Sequence, residues 1–86
     1  MTAKTTYSVD DVLYILLTLG ALYNNEALSK KNKRKVKHKM EAFIFQHIKL
    51  CKQAGDKVNK MNNEEIDKFL TTYQISENIK REVNII

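Results

Sequence analysis

Proline and tryptophan are absent from this chain of 86 residues, glycine occurs twice, and the only cysteine is Cys51. With no proline, nothing in the sequence is obliged to break a helix, and two glycines leave little backbone for tight turns. The polar residues are chiefly Lys, Glu, Asn and Gln, which lean towards helix, while the Asn residues favour caps and turns. A lone cysteine excludes an internal disulfide and suits a reducing compartment. Long apolar runs are missing too: residues 12–23, with Thr18 and Gly20 among them, make the longest, and a membrane span needs about 20. The start, MTAKTTYSVDD, has one Lys, two Asp and no apolar core, so it does not read as a secretory signal. A cytoplasmic, intracellular protein without a transmembrane segment is the expectation.

A chain this short makes one domain, residues 1–86, burying roughly 60% of its unfolded surface. Lys (13), Asn (8) and Ile (8) fill a third of it, a bias common in AT-rich genomes and suited to a phage-type protein. Charge is where the sequence is least even. The formal net charge is +5, yet outside residues 30–39 there are 8 basic and 10 acidic side chains, a balance of −2. The excess positive charge therefore lies in one segment, SKKNKRKVKHK, through Lys30, Lys31, Lys33, Arg34, Lys35, Lys37 and Lys39. Focused charge attracts anions, whereas diffuse charge mainly aids solubility.

Periodicity predicts an all-α bundle of about four helices, at residues 8–24, 30–54, 62–73 and 76–84. Ser8 caps the first, with Asp10 and Asp11 favourably placed against the helix dipole. That helix is apolar on nearly every face, least so at Tyr14, Thr18 and Ala21, which marks a buried central strut. Asn24 and Asn25 end it. The second and longest helix crosses it, with Val36, Met40, Phe43, Ile44, His47, Ile48 and Cys51 in one stripe at spacings of three and four. Gly55 is placed to stop that helix in a left-handed conformation, leaving residues 55–61 as a loop. Asn62 or Asn63 with Glu65 opens the third helix, lined by Ile66, Phe69, Leu70 and Tyr73, and Ser76 caps the fourth.

On a helical wheel the seven cations spread around the second helix, Lys33 and Lys37 flanking the stripe and Lys31, Lys35 and Lys39 opposite it. A solvated helix end would show the same spread. Two features argue for more. The cations crowd a helix N-terminus, where the dipole disfavours each by roughly 0.3–1 kcal/mol. No acid lies among residues 30–39, and Glu41 reaches only Lys37 and His38 at helical spacing. Residues 29–35 are accordingly expected to fray until an acidic partner orders them. With six Lys to one Arg and no aromatic ring in the run, any nucleic acid would be held by its phosphates rather than read by its bases.

Residues 64–83, EEIDKFLTTYQISENIKREV, resemble a helix-turn-helix at Phe69, Tyr73, Ile75, Ser76 and Val83, which would imply DNA reading. The pattern departs at Leu70, Gln74 and Lys80, and the second helix sets Glu77 and Glu82 against Lys80 and Arg81. A recognition helix without net charge gains almost nothing from counterion release, so two short core-covering helices are the preferred reading.

Catalytic chemistry finds little footing. His47 and Cys51 stand four apart, but zinc wants four ligands and His38 points the other way, so both read as core residues. Glu64, Glu65 and Asp67 sit where a helix dipole accounts for them, and there is no glycine-rich phosphate loop. No enzyme, cofactor or metal is expected. Phe45, about 180° from the stripe, is out of place, and Ile85 and Ile86 close the chain on apolar residues. Phe45, Ile85 and Ile86 are the expected apolar contacts with a partner. The sequence as a whole reads as a small regulatory binding protein, an adaptor or inhibitor, docking on an acidic protein surface. A non-specific nucleic-acid binder gripping phosphates through residues 30–39 is the alternative, and a homodimer is a second way to cover the apolar excess.

Overall fold

A computed structural model of the protein describes residues 6–85, and these form an all-α fold of five helices. They are α1 (Val9–Tyr23), α2 (Lys30–Gln46), α3 (Ile48–Val58), α4 (Asn63–Thr72) and α5 (Glu77–Val83). No described helix is long and apolar enough to cross a membrane, and Cys51 is a free thiol.

α1 begins where its sequence places it. The Ser8 hydroxyl accepts from the Asp11 backbone N–H at 3.1 Å, and the Asp11 carboxylate accepts from the Ser8 N–H at 3.0 Å. This reciprocal box satisfies two donors that a bare helix start would leave without partners. Val12, Leu13, Ile15 and Leu19 are buried, and α2, α3 and α5 all pack against α1, which is the central strut. Val36 and Phe43 from α2, Ala54 from α3 and Ile79 from α5 complete the core.

The expected second helix is two helices. At His47 the backbone leaves helical geometry (φ −132°, ψ 48°), and α3 starts directly after it. An unbroken helix over both segments would run roughly 43 Å, about twice the length of α1. Interrupted at His47, α2 and α3 can each lie against α1. The Phe43 and His47 rings meet at 4.6 Å, and Tyr7 covers both, at 5.8 and 5.4 Å. Ile44 and Ile48, read as part of the buried stripe, sit at its edge and are exposed.

Gly55 is a second correction. It lies inside α3, no described glycine has positive φ, and α3 runs on to Val58 with Asn59 as its cap. The helix continues because Val58, one turn on, packs against the core and repays three further residues of helical order. A Cβ built on Gly55 or on Gly20 meets nothing within 4 Å. Gly55→Ala and Gly20→Ala are therefore each expected to stabilise the protein, by about 0.5–1 kcal/mol. Urea titration checks this, and a destabilised Gly55→Ala would restore the helix stop first read from the sequence.

α4 opens with a full box between Asn62 and Glu65, and Ser76 caps α5, its hydroxyl accepting from Ile79 N–H at 3.3 Å. Ile79 is buried against the core, and α5, only seven residues long, lies on α1. α4 buries no residue fully and is held through aromatic rings: Tyr14 stacks on Tyr73 at 5.6 Å, and Phe69 lies 4.9 Å from Tyr73.

The Tyr73 hydroxyl also donates to the Asp11 carboxylate. Burial alone would raise the Asp11 pKa, but hydrogen bonds from the Ser8 backbone, Tyr73 and the Ser8 side chain outweigh it and hold the carboxyl below its ordinary range. Burial, then the bond to Asp11, pushes the Tyr73 hydroxyl up. A carboxyl with a depressed folded pKa stabilises the fold above its unfolded value near 3.9, and that contribution disappears as pH falls through the folded value. Tyr73→Phe is expected to cost about 1 kcal/mol at neutral pH, discounted for partial exposure, with a smaller loss at pH 3. Thermal melts at both pH values test it, and equal losses would show that the bond to the charged carboxylate is not the cause.

Candidate functional site

Beside α1 and α4, α2 has a start poorly suited to its charge. Ser29 caps it, accepting from Asn32 N–H at 3.2 Å, but no acid stands in its first turn. α1 carries Asp10 and Asp11 there, and α4 carries Glu64 and Glu65. Lys30, Lys31 and Lys33 take that place in α2, against the dipole. Within the segment expected to fray, residues 29–35, Ser29 is the cap and residues 30–35 are helical in the structure. Val36, buried two turns in, and the Ser29 cap are the features that hold them.

Of the seven cations, Lys39 is not on the outer side as the wheel suggested. It turns inward and pairs with Glu82 of α5 at 2.6 Å, both side chains being largely covered. Burial, followed by the charge of Glu82 and a hydrogen bond to it, pushes the Tyr7 hydroxyl up on the same side of the molecule. Lys30, Lys31, Lys33, Arg34, Lys35 and Lys37 form no ion pair among the described residues. The compensated cations lie elsewhere: Lys57 of α3 pairs with Asp10 of α1, and Lys80 with Glu77 within α5 at 3.4 Å.

Apolar surface lies at the other end of the same helix. Phe45 is 79% exposed and Ile48, just past the break, 60%, while Ile44 and Tyr23 are open to a lesser degree. Tyr23, Lys37, Met40, Glu41 and Ile44 line an open groove of about 260 Å³ between the end of α1 and the middle of α2. Phe45, Ile48 and Leu50 border a shallower hollow at the helix junction. Ile85 is half-buried against the core, so it offers a partner less than its sequence suggested, and Ile86 lies outside the described residues.

Tyr23 escaped the sequence reading because it looked like the last turn of a buried helix. Its signal was Asn24 directly after it, which places the ring at a helix end rather than within one. The break at His47 had a fainter cue in FIFQHI, a run of residues with weaker helix propensity than the Lys- and Glu-rich turns before it.

Cys51 is half-buried beside the core, and burial pushes its thiol up, away from the reactive thiolate. Among the described residues, no three His, Cys, Asp or Glu side chains come together as a metal site. No family model, curated protein or solved structure matches this chain. What the geometry supplies is a helical globule with a basic patch and an exposed aromatic and aliphatic surface on one helix.

Proposed function

We propose that this protein is a small regulatory adaptor or inhibitor, acting in a reducing compartment and docking on a larger macromolecule through the outward side of α2. The observation that carries this reading is the presence on one helix of six cations with no ion pair among the described residues together with Phe45, 79% exposed. Charge steers encounter and fixes register, while a large ring buried on docking supplies affinity. Each feature alone is ordinary on a protein surface; together they offer both parts of an interface. The role is one of binding rather than catalysis.

Two altered proteins test it: Phe45→Ser with Ile48→Ser, and those six cations changed to Gln. Quantitative capture of partners from source-cell extract is expected to fall at least about tenfold for the same partner with each. If neither change loses any partner, the docking surface is wrong.

Non-specific nucleic-acid binding is the second reading, favoured by cations on several sides of the first half of α2. It requires a steep salt dependence, with log K falling by about 0.9 per duplex phosphate neutralised for each tenfold rise in salt. Titration of labelled duplex and single strands at low salt separates the two, and absence of binding removes this alternative.

A further inference from the structure

We infer that the segment received by this surface is an acidic amphipathic helix of another protein, its apolar side chain in the groove of Tyr23, Met40 and Ile44 and its carboxylates over Lys37, Lys33 and Lys30. This rests on the docking reading above and names the partner's chemistry and register.

Lys30, Lys33, Lys37 and Ile44 are separated by three, four and seven residues, which places them within about 60° of arc on α2. At 1.5 Å per residue, Lys37, Lys33 and Lys30 lie roughly 10, 16 and 21 Å along the helix from Ile44. The array is linear, apolar at one end and cationic along the rest. A second helix repeats the same spacings, so one face of it can match all four positions.

Beyond its first turn the backbone groups of α2 are engaged within their own helix, and the described residues contain no strand whose edge could be extended. A partner must therefore bind through side chains, and a helix does so with its own backbone already satisfied, where an extended peptide would rely on water. Glu41 lines the groove beside Ile44 and sets the register further. It repels a carboxylate next to the anchor, so the partner's acids begin about two turns away, opposite Lys37.

Charge complementarity also separates this occupant from the others. A duplex would use the cations but leave Tyr23, Met40 and Ile44 uncovered, with Glu41 facing phosphate. A second copy would bring another cationic α2 from a chain of net charge +5. The chain's own acids at Glu64, Glu65 and Asp67 have no exposed large apolar residue beside them on α4, so its surface lacks the matching face.

The test is selection on the intact protein from a displayed library of 18-residue helical peptides. Enriched peptides are expected to carry an apolar anchor with Asp or Glu about seven and eleven residues from it. Their affinity should fall at least about tenfold for Ile44→Asp and for the Lys33→Glu, Lys37→Glu pair, and return when the peptide's acids are changed to Lys. That charge exchange keeps the inference falsifiable should Ile44→Asp disturb folding, which circular dichroism reports. Enriched peptides without this register, or unchanged affinity for both variants, would overturn it. If the six-cation or Phe45 variant still releases those peptides, the docking reading survives and only the groove and register fail. A 20-base-pair duplex that outcompetes every selected peptide would overturn it in favour of nucleic acid. A dimer in light scattering that excludes the peptides would do so in favour of a second copy.

Discussion

Changing Lys30, Lys31, Lys33, Arg34, Lys35 and Lys37 together to glutamine is expected to stabilise the fold and weaken binding. The two effects have one cause. The first-turn cations oppose the α2 dipole at roughly 0.3–1 kcal/mol each at low salt, and no ion pair among the described residues compensates the six. Glutamine has a helix propensity close to that of lysine and arginine, so neutralisation removes repulsion without weakening the helix. A gain of about 1 kcal/mol is expected in denaturant titration at low ionic strength, shrinking as salt screens the charges in the parent. Lys39 is left in place because its partner Glu82 is largely covered and would be stranded.

Against an acidic partner the same six cations contribute about 0.5 kcal/mol each, so affinity should fall on the order of a hundredfold. Most of that loss belongs in the association rate, since exposed charges act chiefly on encounter. Stopped-flow association at several salt concentrations reads it directly. A variant that is destabilised, or that binds its partner as fast as the parent, would show the cations to be structural or merely solvated.

The second large effect contrasts two rings two residues apart. Phe43 is 1% exposed and packs against Tyr7 and His47 at the α2–α3 junction, whereas Phe45 is 79% exposed. Phe43→Ala is expected to cost about 3–5 kcal/mol, through lost transfer energy and the cavity left where α2, α3 and the Tyr7 ring meet. For a domain of this size that is much of the total stability, and the thermal midpoint should drop by roughly 12 °C or more. Phe45→Ala is expected within about 0.5 kcal/mol of the parent, as at other exposed positions. Paired thermal melts decide it. Equal losses would mean that Phe45 is covered, and the apolar half of the proposed interface would not exist.

The groove shows how far sequence reasoning reached. Phe45 was legible as an outward ring because two residues from a buried position on a helix is slightly more than a half-turn away. Ile44 was not, since a residue at the edge of an apolar stripe is covered or bare according to how closely the neighbouring helix approaches. Lys39 shows the same limit. By composition it is one cation among seven, and only the approach of α5 singles it out.

By itself the sequence determined the helical class, the capped starts at Ser8, at Asn62 or Asn63, and at Ser76, the central place of α1 and the segment holding the excess charge. These depend on periodicity, capping and charge within a few residues, which a linear reading contains. Tertiary structure alone decided the break at His47, the helical state of Gly55, the groove at Tyr23 and the bonds Lys39–Glu82 and Tyr73–Asp11. Those two bonds join residues 43 and 62 positions apart, and the break serves the packing of two helices on a third. Nothing near them in the chain records which distant surface will arrive, because that is set by how all the helices bury their apolar faces at once.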